Sequence, residues 1–141
     1  MSPALIDNSA WARLSHPSLD DDRVSELAEE FEAGMIAVCA PFLLEAGYSA
    51  RSADDHADLL DDLQALPQVA IDEAVERRAL QAQAQLARVG HHRLPPVDLL
   101  VAALADRHGL DVLHYDADYD VILKKTDLRY GSRWLAPRGV L

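Results

Sequence analysis

The sequence predicts an α/β fold, with helices on both faces of a mostly parallel sheet of four or five strands. Two observations carry this. Short apolar segments alternate with longer amphipathic ones along the chain. No tight hairpin signal such as Asn-Gly joins any two of them, so consecutive strands must connect through crossover helices. The 141 residues suit one domain spanning 1–141.

Each element has a local reason. Residues 4–6, Ala-Leu-Ile after Pro3, read as a short buried strand. Residues 9–15 read as a short helix that Pro17 ends. Residues 20–33 form an amphipathic helix stopped by Gly34, with Asp20, Asp21 and Asp22 at its positive end. Residues 35–39 are a second strand. Pro41 then opens a helix reaching Gly47 or Tyr48. Residues 53–65 are a further helix, and 68–71 a third strand. A long helix over 72–88, rich in Ala, Gln and Arg, closes at Gly90. The segment Leu94-Pro95-Pro96 leads rigidly into a helix ending at His108-Gly109. Residues 112–115 are a fourth strand, 118–125 a short helix, and 134–136 a final strand. Cys39 is the single cysteine and lies in the apolar run 35–44, so it reads as a core residue.

Charge narrows the function. There are 13 Lys+Arg against 24 Asp+Glu, a net of −11, which excludes generic binding of nucleic acid by a basic surface. The excess is local: residues 1–87 carry a net of −12 and residues 88–141 a net of +1. Much of it lies in two blocks, Asp20 to Glu32 and Asp54 to Asp62, interleaved with apolar residues at helical spacing. They read as solvated helix faces. The N-terminus has no basic segment followed by an apolar one, and no run is long enough to span a membrane. A cytoplasmic protein is expected.

Four carboxylates fall outside those faces. Asp7 and Asp116 end predicted strands. Glu45 lies in the second turn of a helix that follows a strand, and Asp98 in the first turn of a helix that precedes one. In a parallel α/β fold all four positions approach the carboxyl edge of the sheet. Each also has a local reading: Asp7 as a helix cap, Asp98 as a partner of its helix dipole, Glu45 paired with an arginine, Asp116 as a turn residue. Those readings leave the convergence unexplained. Four carboxylates at one edge repel, so either their pKa values rise or a cation neutralises them. Mg²⁺, with Mn²⁺ able to substitute, suits an all-oxygen set, and no Cys/His set has zinc spacing.

At these residues the sequence resembles the PIN-domain ribonucleases, and within them the VapC toxins of type II toxin–antitoxin modules. The segment Leu5-Ile6-Asp7-Asn8-Ser9-Ala10-Trp11 is similar to the opening strand and first metal-binding aspartate. Leu43-Leu44-Glu45-Ala46-Gly47 and Pro96-Val97-Asp98-Leu99-Leu100 match the second and third acids. His114-Tyr115-Asp116-Ala117-Asp118-Tyr119 resembles the last motif. The one departure is Asn8, where the family usually has Thr or a small residue.

The resemblance covers the whole chain in order. It implies a PIN-like three-layer α/β/α sandwich and metal-dependent hydrolysis of RNA, with transfer RNA the commonest target and ribosomal RNA next. Asp7, Glu45, Asp98 and Asp116 would be both the catalytic and the metal-binding residues. Ser9 and Asp118 would support them, although Ser9 also reads as a helix cap.

Basic groups should border such a site. Arg13, Arg88, His91, His92 and Arg93 are candidates for RNA contact, with Lys124 and Lys125 behind them. His114 could act as a base but reads more readily as a packed histidine, and Trp11 and Trp134 as core aromatics rather than base-stacking platforms. The resemblance further implies a VapB-type antitoxin whose tail covers the active site, and a homodimer, with a higher toxin–antitoxin assembly as an option. Two other readings remain at this level: a PIN nuclease of RNA processing, and a metal-silent PIN binding module.

Overall fold

A computed structural model describes residues 2–141. The elements are β1 (Ala4–Ile6), α1 (Asn8–Trp11), α2 (Asp21–Glu32), β2 (Ile36–Ala37), α3 (Ala40–Tyr48), α4 (Ala53–Gln64), α5 (Glu73–Arg88), α6 (Pro96–His108), β3 (Asp111–His114), α7 (Asp118–Lys125) and β4 (Gly131–Trp134). The strands form one sheet in the order β2-β1-β3-β4, and every pairing is parallel.

Capping residues set the helix starts. Asp20, Ser52 and Asp72 each accept a backbone N–H of the first turn of α2, α4 and α5. α6 begins at the Pro95-Pro96 pair and ends at Gly109, whose φ of +64° is the left-handed conformation that closes a helix. Seven of the eight residues from 98 to 105 in α6 are buried. A helix apolar on nearly every side belongs in a protein interior, and α6 lies against β1 and β3 with α5 and α7 beside it. Right-handed crossovers then place α2 on the opposite face of the sheet. There its Glu30 and Arg23 reach Arg133 and the Leu135 carbonyl near the β4 edge.

Three readings shift. The strand expected over 68–71 shrinks to one parallel bridge between Val38 and Gln68. Pro67 has no N–H to extend a ladder, and Asp72 is committed to capping α5. The last strand is Gly131–Trp134 rather than 134–136, so the sheet has four strands, not five. Its residues are polar because it is an edge. Arg133 bridges Glu30 and Asp111 at 2.7 Å each, and a side chain at Gly131 would collide with Asp111. The helix expected over 9–15 is one turn, Asn8–Trp11, followed by tight turns.

The sheet order fixes where a site can form. From β1 the chain leaves toward β2, and it returns to β3 on the other side of β1. The carboxyl ends of β1 and β3 therefore bound the crevice where such sheets bind ligands. Asp7 and Asp116 lie just beyond those two ends.

Candidate active site

Asp7 is 4% exposed, and the Asp7 amide donates to the Leu113 carbonyl of β3. It caps α1: its Oδ2 accepts from the Ser9 amide at 3.0 Å and the Ser9 hydroxyl at 2.6 Å. Ser9 Oγ in turn accepts the Tyr115 amide at 2.9 Å. The cap and the site are one arrangement, because Ser9 ties the end of β1 to the end of β3 while fixing the Asp7 carboxylate.

Asp98 comes from the first turn of α6 and is 5% exposed. Its Oδ2 has no hydrogen-bond partner among the described residues. Carboxylate oxygens of Asp98, Asp116 and Asp118 lie within 4.8 Å of one another. Asp118 is thus closer to the centre of the site than the sequence pattern suggests. The Asp118 amide donates to Asp116 Oδ1 at 2.9 Å, which turns the loop so that both carboxylates face inward.

Glu45, in the second turn of α3, is half-buried and makes no hydrogen bond or ion pair among the described residues, so the arginine partner considered for it is not there. It stands further out, beside an apolar groove of about 450 Å³ lined by Pro41, Leu44, Tyr48 and Val97.

The electrostatics record this crowding. Burial first, then the charges of Asp7, Asp116, Asp118 and Glu45, push Asp98 up to about 8. Burial and then Asp7 and Asp116 raise Glu45. Burial and then Asp116 raise Asp118. All five acids therefore share one field. Its missing component is positive charge, since no lysine or arginine forms an ion pair with any of the five among the described residues. A buried carboxylate oxygen without a donor, inside a cluster made only of oxygens, fits a hard divalent cation.

The other candidates divide. Arg13 sits at the rim, with its guanidinium 4.9 Å from the centre of the Tyr115 ring and one N–H on the Ser9 carbonyl at 2.9 Å. Arg88, His91, His92 and Arg93 lie at the end of α5 and in the exposed turn leading to α6, the helix whose first turn carries Asp98. Lys124 and Lys125 are at the far end of α7 from Asp118. Trp11 packs edge-on against Phe42.

His114 is fully buried, and burial lowers its pKa. The Nδ1 of His114 accepts the Asp116 amide at 3.1 Å, so its Nε2 carries the proton that faces Ser132 Oγ at 2.8 Å. It is a neutral strut under the Asp116 turn. Ser132 and the Trp134 indole both donate to Asp120 and extend that strut to the surface.

One residue of the site was not singled out from sequence. Tyr119 is fully buried, and its hydroxyl lies 2.7 Å from Asp7 Oδ1 and 3.4 Å from Asp98 Oδ1. The signal was available: Tyr119 and Ile122 mark the buried stripe of α7, and a buried tyrosine needs a partner for its hydroxyl.

Comparison with known proteins places this arrangement. Residues 4–125 match the model of the PIN domain. The ribonucleases VapC18 and VapC51 of Mycobacterium tuberculosis are 35% and 38% identical to this chain, the matches covering 96% and 97% of it and 97% and 96% of theirs. The chain belongs to the VapC ribonucleases of the PIN-domain family. Its fold is also that of the DNA-bound VapBC from Salmonella typhimurium, with a TM-score of 0.73 at 16% identity over 96% of this chain and 100% of that one. The PIN-domain match ends with α7 at residue 125, so β4 and the tail behind it lie beyond that matched segment.

Proposed function

We propose that this VapC-family chain acts over residues 1–141 as one unit, a toxin that hydrolyses RNA phosphodiesters with a divalent cation, Mg²⁺ in the first instance. The reading is carried by the Asp98 oxygen that has no partner among the described residues, in a cluster with Asp116 and Asp118. Asp98, Asp116 and Asp118 would hold the ion, with Asp7 adding one oxygen beside them and Glu45 at the outer edge. When bound, the cation supplies a lowered pKa for attacking water and charge stabilisation at the scissile phosphate. The protein's own groups supply position. Ser9 fixes Asp7, the Asp118 amide fixes Asp116, and the α6 scaffold fixes Asp98.

RNA approaches across the rim. Arg13 and the exposed Arg88–Arg93 turn are cationic groups close in the chain to the first turns of α1 and α6, and they would contact phosphates. Transfer RNA is the substrate to test first. The protein partner is a VapB-type antitoxin whose tail covers the site, and a basic side chain on that tail would meet the five-acid field directly. Cytoplasmic residence goes with both partners. Sequencing of RNA 5′ ends after induced expression tests the reading. New ends concentrated in transfer RNA are expected with the wild type and none with Asp7→Ala, while identical ends in both would overturn it.

A further inference from the structure

We propose that Tyr119 is a positioning residue that decides which carboxylate oxygens face the cation, an inference that rests on the metal-dependent reading above. Its hydroxyl is buried and has a single proton. The short 2.7 Å contact assigns that proton to Asp7 Oδ1. The Asp98 Oδ1 atom is 3.4 Å from the same oxygen, so one hydroxyl spaces the carboxylates of β1 and α6.

The consequence is a division of labour among the oxygens. A carboxylate offers about four acceptor sites. On Asp7 the Ser9 amide, the Ser9 hydroxyl and the Tyr119 hydroxyl occupy three of them. Asp7 is left able to give one lone pair, and not a two-oxygen clasp. Asp98 Oδ2 accepts no hydrogen bond among the described residues.

Tyr119 also anchors the helix that begins with Asp118. Its backbone carbonyl accepts the Tyr130 hydroxyl, and its ring packs 4.9 Å from His114. The phenol therefore links all the inner acids: Asp7 and Asp98 through its oxygen, Asp118 through the chain, and Asp116 through the His114 strut.

The hydroxyl alone is removed by Tyr119→Phe, which keeps the ring packing. Partners that orient metal ligands are typically worth 10–100-fold in affinity. Calorimetric titration with Mg²⁺ should give at least about a 10-fold weaker Kd in the variant, with the fold intact by circular dichroism. Packing damage alone would not produce the second signature. With ¹³Cζ-tyrosine labelling, the resonance missing from Tyr119→Phe should shift as the wild type is titrated with Mg²⁺, with the same midpoint as the heat signal.

Equal Mg²⁺ affinity in the two proteins, or a Tyr119 resonance that ignores Mg²⁺ while heat is released, overturns the positioning role and leaves the metal site standing. A wild type that binds no Mg²⁺, and so behaves like Asp98→Asn, overturns the metal-dependent reading itself and the role with it.

Discussion

Asp98 shows how one residue can work against the fold that holds it. In the unfolded chain its carboxyl ionises near 3.8, whereas in the folded protein burial and four neighbouring acids hold the proton up to about 8. Between those values the folded state binds more protons than the unfolded one, so the metal-free protein loses stability as pH rises. The loss is on the order of a few kcal/mol. Urea unfolding in EDTA should show the wild-type midpoint falling from pH 5 to pH 8, and the fall should be much smaller in Asp98→Asn. In Mn²⁺ at pH 8 the wild type should gain thermal stability and the variant should not. Cys39 behaves in the opposite, inert sense. Burial raises its thiol to about 11, so alkylation at pH 8 should proceed only as fast as the protein opens.

At the scale of elements, the sequence was most legible where local chemistry and burial agree. The α6 helix is bounded by Pro95-Pro96 and Gly109 and is apolar from Leu99 to Ala105, so its span and its central place could be read directly. Strand ends were legible too, because Asp7 and Asp116 interrupt apolar runs. Edges were not. β4 is Gly-Ser-Arg-Trp, which has no strand pattern and is held by side chains from elsewhere.

The place of Asp118 and the role of Tyr119 depend on how α7 is rotated, which packing against His114 and Tyr130 decides. Arg133 carries the β4 edge. Arg133→Ala leaves Glu30 and Asp111 without a cation among the described residues, where Glu30 Oε2 already lacks a partner. The substitution should cost about 2 kcal/mol in urea unfolding and leave Mg²⁺ affinity unchanged.

For the whole molecule, the charge of −11 is compatible with an RNA partner once its location is known. The acids of α4 and most of those of α2 are exposed on helix faces, whereas the inner acids of the site need a cation before a phosphate can approach. RNA binding should therefore be weak in EDTA and restored by Mg²⁺. Arg93→Glu should slow RNA cleavage without changing Mg²⁺ affinity, and an unchanged cleavage rate would remove the α5–α6 turn from the RNA path.

Leu44 and Tyr48 are 76% and 92% exposed beside the apolar groove of α3 and α6. That is the kind of patch a homodimer covers. Light scattering should give a dimer for the wild type and a monomer for a Leu44→Asp, Tyr48→Asp double variant.

Above all, the β1–β3 crevice would cleave RNA through a cation held by its acids. Cleavage of total transfer RNA by the purified protein tests it most directly, with the wild type and Asp116→Asn each assayed in Mg²⁺ and in EDTA. Discrete fragments from the wild type in Mg²⁺ alone, and none in the other three reactions, are predicted. Equal cleavage by the wild type in EDTA, or by Asp116→Asn in Mg²⁺, would contradict the account.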